Sequence, residues 1–86
     1  MSGQKAITPR ATVLTPRLCK AARALLGWTQ DDLASYSGVG GGTIRMYEAE
    51  NRPGRYPTLV VLEMTFEEAG LEFIRGGVVL RELEAA

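Results

Sequence analysis

The segment TQDDLASYSGVGGGTIRMYE, residues 29–48, decides the fold of this chain. Thr29 has the hydroxyl of an N-cap residue, and two aspartates follow it where the helix dipole favours anions, so a helix begins here. Gly38 predicts the end of that helix, because glycine readily adopts the left-handed conformation that closes helices. Ile44 and Tyr47, three residues apart, give a following helix one apolar face. The segment therefore predicts two short helices joined by a tight turn.

Helical patterns flank this segment on both sides. Thr15 and Pro16 predict the start of a first helix, Pro16–Leu26, since proline is well tolerated at the first helical position. Thr58 is predicted to cap a fourth helix that Gly70 closes. Apolar residues at helical spacing are expected to face inward in both: Leu18, Ala22, Leu25 and Leu26 in the first helix, and Leu59, Leu62, Met64, Phe66 and Ala69 in the fourth.

The pattern changes from helix to strand near the end of the sequence. Two β-rich runs, 71–74 and 78–81, flank Arg75-Gly76-Gly77, and this arrangement predicts a hairpin. The expected fold class is mainly α, with four helices and a C-terminal β-hairpin. Three parts are expected along the chain: a flexible N-terminal arm (1–14), a helical domain (15–70) and the hairpin region (71–86).

Composition excludes most catalytic chemistry. The 86 residues suit one domain, and they include no histidine and a single cysteine, Cys19. An internal disulfide, a cysteine-based zinc site and a histidine-dependent triad are therefore excluded. We expect no enzyme activity, no metal and no cofactor, and we expect Cys19 to act as a small buried apolar residue. No stretch predicts a signal peptide or a membrane span, so a cytoplasmic protein with no membrane partner is expected.

The charges are balanced in total but divided along the sequence. Lys and Arg number 10 and Asp and Glu number 10, yet residues 1–55 hold eight basic and four acidic groups. Residues 56–86 hold two basic and six acidic groups. This division gives a basic end that suits a polyanion, although chance clustering in a short chain remains an alternative.

Two short helices joined by a glycine-containing turn are typical of the helix-turn-helix motif, whose second helix enters the DNA major groove. The 20 residues from Thr29 to Glu48 have the length of this unit. Residues 22–59, ARALLGWTQDDLASYSGVGGGTIRMYEAENRPGRYPTL, resemble the Cro/repressor-type (XRE) helix-turn-helix family. The resemblance implies a repressor-like domain that binds double-stranded DNA, with a recognition helix at about Gly41–Glu48.

The resemblance also implies roles for particular residues. Gln30 would bind a backbone phosphate and brace the recognition helix, while Arg23 would form a salt bridge with Glu48. The family's base-reading positions fall on Gly40, Gly41, Gly42, Thr43, Arg45 and Met46. Among these, Arg45 is our candidate for a guanine contact, because its planar fork can address O6 and N7 together.

Three successive glycines depart from the usual family pattern at the start of the recognition helix. They permit either close approach of the backbone to phosphates, for which Gly40 is our candidate, or a weaker direct readout supplemented by DNA shape. A nucleotide-binding glycine loop is not indicated, because the run follows a helix and no P-loop lysine comes after it. The remaining phosphate contacts are assigned to Thr29, Gln30, Arg52 and Arg55. Tyr56 is expected either to add a hydroxyl contact or to cover the core.

The hairpin is predicted to be a dimerisation element. We expect it to expose Phe73, Ile74, Val78 and Leu80, which a second copy would cover; the alternative is a monomer whose hairpin folds back on its own helices. The sequence thus predicts a homodimeric transcriptional regulator that occupies a palindromic operator. The alternative function is a protein-interaction module, an antitoxin or antiactivator, on the same scaffold.

Overall fold

The computed structural model describes residues 10–50 and 53–81, and these form four helices and one hairpin. The helices are α1 (Pro16–Leu26), α2 (Gln30–Ser37), α3 (Gly41–Glu48) and α4 (Tyr56–Glu68). Strands β1 (Leu71–Ile74) and β2 (Gly77–Leu80) pair antiparallel, with Leu71 opposite Leu80 and Ile74 opposite Gly77. The predicted fold class, mainly α with a C-terminal hairpin, is confirmed.

The bounds of α1 and α2 follow from their capping residues. The hydroxyl of Thr15 accepts the N–H of Leu18 at 3.1 Å. Thr29 forms a capping box with Asp32, in which each residue's side chain accepts the other's backbone N–H at 2.9 Å. Gly27 and Gly38 close the two helices with φ of 71° and 77°, in the left-handed region that favours glycine. Both helices therefore lie where the sequence predicts them.

The prediction that Thr58 caps the fourth helix is wrong. Helix α4 begins at Tyr56, and Arg55 occupies the N-cap position without a side-chain cap hydrogen bond. Pro57 lies in the first turn, where the missing N–H of proline costs no helical hydrogen bond. The proline, rather than the threonine hydroxyl, therefore marks the helix start.

The core lies among the four helices, and the hairpin closes it on the side of α1 and α4. Its fully buried side chains are Cys19, Ala22, Leu33, Ile44, Leu62 and Phe66. Helix α1 packs against β2, and α4 packs against β1. Two residues predicted to face inward, Leu25 and Met64, are instead 43% and 44% exposed. Leu25 lies at the edge of the apolar face of α1, whereas Met64 lies on the side of α4 opposite the buried Leu62 and Phe66.

The hairpin packs one face on the helices. By the strand register, Leu71, Phe73, Val78 and Leu80 share a face, on which Leu71 is buried and Phe73 and Val78 pack against the core. The expectation that Phe73 and Val78 are exposed is therefore wrong, because this face completes the small core. Leu80, at the end of β2 on this face, is exposed, and so are Ile74 and Val79 on the opposite face.

The segment before α1 is held against α4. The buried carboxylate of Glu63 accepts the backbone N–H groups of Val13 at 2.5 Å and Leu14 at 2.7 Å. Arg10 forms ion pairs with Glu63 at 3.2 Å and Glu67 at 2.8 Å. Residues 10–14 thus differ from the mobile arm expected for 1–14, while residues 1–9 lie outside the described part of the chain.

No helix in the described ranges, 10–50 and 53–81, has the length and apolar character required to cross a membrane.

Candidate nucleic-acid interface

A buried carboxylate fixes the orientation of α3. Glu48 is 2% exposed, and its Oε1 and Oε2 accept hydrogen bonds from Arg23 Nη2 at 2.6 Å and Arg23 Nε at 2.8 Å. Arg23 Nη1 also donates to the carbonyl of Trp28 at 3.0 Å. One guanidinium therefore joins α1, the turn that follows it, and the last residue of α3.

Two further donors complete this cluster. The amide of Gln30 donates to Oε1 of Glu48 at 2.9 Å, and the thiol of Cys19 donates to Oε2 at 3.0 Å. Burial alone raises the pKa of the Glu48 carboxyl, but the hydrogen bonds from Arg23, Cys19 and Gln30 outweigh it and hold the pKa below its ordinary value. Burial, assisted by the adjacent carboxylate, raises the pKa of the Cys19 thiol. Glu48 is thus an ionised acceptor, and Cys19 is a protonated donor.

Gln30 therefore braces α3 through Glu48. One hydrogen of its side-chain NH2 group is engaged in the free protein, and the second remains as a donor for a phosphate. The backbone N–H of Thr29 is occupied, since it donates to the Asp32 carboxylate. At Thr29 the hydroxyl hydrogen is the donor that remains for a phosphate.

The face of α3 opposite the core is open. Ile44 and Tyr47 are buried on the inner side. Four candidate base-reading residues are exposed away from that side, namely Gly42, Thr43, Arg45 and Met46, whereas Gly41 is half-buried on the side of Ile44 and Glu48. The structure thus brings these four base-reading candidates together on one surface of one helix.

The glycines leave room for Arg45. A Cβ placed on Gly41 would lie 3.4 Å from Arg45 Nη1, and one on Gly42 would lie 3.8 Å from Nη2. The guanidinium therefore extends along the first turn of α3, over the backbone of these two residues. Asp31 of α2 is close by, with its Oδ1 3.7 Å from the same Gly41 position.

The N-terminus of α3 exposes backbone donors. Gly40 is the N-cap and provides no side-chain cap, and the first N–H groups of a helix have no partner within it. These groups, together with the helix dipole, suit an anion. Gly40, which we assigned to phosphate contact, lies at this end of the helix.

The basic loop after α3 is described in part. Arg55 is exposed at the N-cap position of α4, whereas Arg52, our other candidate in this loop, lies outside the described residues. Tyr56 is 43% exposed, and its hydroxyl donates to the carbonyl of Arg10 at 2.5 Å. Tyr56 therefore anchors the segment before α1 and does not cover the core.

Sequence reasoning missed two residues that shape this region. Glu63 is buried on α4 beside Leu62 and Phe66, and its carboxyl group among apolar positions was the only local signal for it. Gly54 is a site of close approach, because a Cβ there would lie 2.5 Å from Leu59 Cδ2. Within the described residues, no group of three or more His, Cys, Asp or Glu side chains could hold a metal ion.

The short paired helices, the braced third helix and its exposed outer face define a helix-turn-helix DNA-binding protein. A model of the helix-turn-helix family (HTH_3), of the Cro/C1 type, matches residues 20–63, slightly more than half of the chain. The chain belongs to this family and is a DNA-binding regulator. No curated protein sequence matches it.

Proposed function

We propose that this protein binds a specific operator through the outer face of α3 and regulates transcription by occupying that site. The observation that carries the proposal is the contrast between the two sides of α3. Ile44, Tyr47 and Glu48 are buried on one side, while Thr43, Arg45 and Met46 are exposed on the other. A helix held this firmly presents its exposed side chains in a fixed geometry, as base readout requires.

Arg45 supports the sequence-specific part of the proposal. Its guanidinium is exposed, and the neighbouring glycines carry no side chains that would block it from a base edge. A planar fork in this position pairs with O6 and N7 of guanine. We therefore assign to Arg45 the principal polar base contact.

Phosphate contacts are assigned to groups around the edge of this face. The backbone N–H groups after Gly40, the side chain of Arg55 and the hydroxyl of Thr29 are available on the described surface. Gln30 and Arg52 complete the proposed set. Asp31 and Asp32 lie in the first turn of α2 and repel phosphates there, so the positive groups near α3 must supply the attraction.

A homodimer on a palindromic operator is part of the proposal. A single small domain contacts few base pairs, and two copies related by a two-fold axis double the site. The exposed apolar side chains of the hairpin, Ile74, Val79 and Leu80, support an interface there. Phe73 and Val78 pack on the core, so they would hold the hairpin against the helices while its exposed side chains contact the second copy.

Selection of bound fragments from a random DNA pool tests the proposal. We expect enriched inverted repeats and a steep fall in affinity with salt, because phosphate contacts release counterions. Arg45→Ala should weaken binding and relax the preference at one position, whereas Arg17→Ala, an exposed arginine on α1, is the matched control. Absence of any enriched sequence, together with a stable complex with a protein partner, would favour the alternative of an antitoxin or antiactivator.

A further inference from the structure

The outer face of α3 has two chemically different halves. On the side towards α2, the Arg45 guanidinium extends over Gly41 and Gly42. On the side towards α4, Thr43 and Met46 form one wall of a groove of about 330 Å³. The polar and apolar halves are thus placed side by side on the same helix.

The groove is mainly apolar, with one cation at its edge. Its remaining walls include Tyr47, Pro53, Gly54 and Arg55. Met46 is 44% exposed, so its thioether side chain is available to a ligand. Gly54 approaches Tyr47 so closely that a Cβ there would lie 2.9 Å from the ring atom Cε1, and the loop backbone therefore lies directly against the aromatic ring.

We propose that this groove recognises the 5-methyl group of a thymine, with Arg55 directed at an adjacent phosphate. The inference rests on the proposed function, in which α3 reads bases in the major groove. The thymine methyl is the apolar group that base pairs display in that groove, and it is recognised by apolar contact. The apolar wall formed by α3 suits a methyl group, and Arg55 at the edge of the groove suits the phosphate next to that base.

The two halves of α3 then read different bases. Arg45 addresses the acceptors of a guanine, and Met46 with Thr43 addresses the methyl of a thymine on the side towards α4. The glycines at the start of the helix do not weaken readout under this arrangement, because the two reading side chains come from later positions. Each half-site of the operator therefore contains a guanine and a thymine read by one helix.

Replacement of single thymines by uracil in the selected DNA tests the groove. Uracil lacks only the 5-methyl group, and loss of one buried methyl should weaken binding about fourfold. We expect this loss at one thymine in each half-site for the unmodified protein. Met46→Ala should bind the thymine DNA more weakly and should no longer distinguish thymine from uracil.

Met64→Ala is the matched control, since Met64 on α4 is also 44% exposed but lies outside the groove. This variant should retain the full preference for thymine. Equal binding of thymine and uracil DNA by the unmodified protein would overturn the groove assignment while leaving DNA binding intact. Retention of the preference in Met46→Ala would also overturn it. A protein that selects no DNA at all contradicts both the groove assignment and the proposed function.

Discussion

The guanidinium of Arg23 holds the carboxylate of Glu48 in a two-point contact, with distances of 2.6 Å and 2.8 Å across the two pairs of atoms. Glu48 is the last residue of α3, so this contact ties the proposed reading helix to α1. The carboxylate is buried and the guanidinium is partly exposed, with side-chain exposures of 3% and 19%. The pair is therefore shielded from solvent in a way that surface ion pairs are not.

Removal of the Arg23 guanidinium from this ion pair should lower the stability of the fold. We expect Arg23→Met to lower the free energy of unfolding by about 3 kcal/mol, because it leaves a buried carboxylate without its main counter-charge. Chemical denaturation measures this change. Arg17→Met, an exposed site on the same helix, should change it by less than about 0.5 kcal/mol. Similar values for the two variants would show that the contact does not hold the fold together.

Glu48 should also make stability depend on pH in the acid range. Its pKa is lowered in the folded protein, so its contribution is fully present above the unfolded value of about 4.3 and is lost as pH falls through the folded pKa. Glu48→Gln should therefore flatten the fall of unfolding free energy between neutral and strongly acid pH. Denaturation midpoints across this range, compared with those of Glu68→Gln at an exposed site, provide the measurement. An equal slope in the two variants would contradict the prediction.

The helices and turns of this protein could be predicted from local signals. Thr15 and Thr29 mark the starts of α1 and α2, and Gly27 and Gly38 mark their ends, because caps and left-handed glycines act within a few residues. The start of α4 was placed three residues too late, because the hydroxyl of Thr58 has the chemistry of a cap but Arg55 is the N-cap and has no side-chain cap hydrogen bond.

Contacts between residues far apart in the sequence could not be predicted from local sequence patterns. The hydrogen bond from Cys19 to Glu48 joins residues 29 positions apart, and the bonds from Val13 and Leu14 to Glu63 join residues about 50 apart. Such contacts depend on how the helices pack, which periodicity does not specify. The resemblance supplied the pairing of Arg23 with Glu48, but nothing local indicated that Cys19 joins it.

Replacement by alanine should change stability in opposite directions at two glycines, Gly54 and Gly42. A Cβ on Gly54 would lie 2.5 Å from Leu59 and 2.9 Å from Tyr47, so Gly54→Ala should destabilise the fold by about 1–3 kcal/mol through overpacking. A Cβ on Gly42 meets only Arg45, at 3.8 Å, and Gly42 is exposed within α3. Gly42→Ala should therefore stabilise the fold by about 1 kcal/mol through helix propensity. Thermal unfolding of both variants checks the signs, and two shifts of the same sign would refute the packing argument.

The buried carboxylate of Glu63, which holds the segment before α1, should contribute measurably to stability and should protect the amides that it binds. Glu63→Ala leaves the buried N–H of Leu14 and that of Val13 without their acceptor, which should lower stability by about 1–3 kcal/mol. Amide exchange at these two positions should quicken more than exchange in α2. Glu67→Ala removes an exposed partner of Arg10 and should have little effect on stability. Unchanged exchange at Val13 and Leu14 in the Glu63 variant would contradict the anchoring role.

The proposed dimer should depend on the outer face of the hairpin. Val79 is 43% exposed and pairs across the strands with Glu72, so Val79→Lys places a cation beside an acid of its own hairpin and should leave the monomer folded. At a two-fold interface the two introduced lysines would lie near each other and repel, and the apolar contact would be lost. We expect sedimentation to show a monomer where the unmodified protein is dimeric, with binding reduced to single half-sites. Val61→Lys, at a site 40% exposed on α4, should remain dimeric, and a dimer that survives Val79→Lys would exclude this face of the hairpin as the interface.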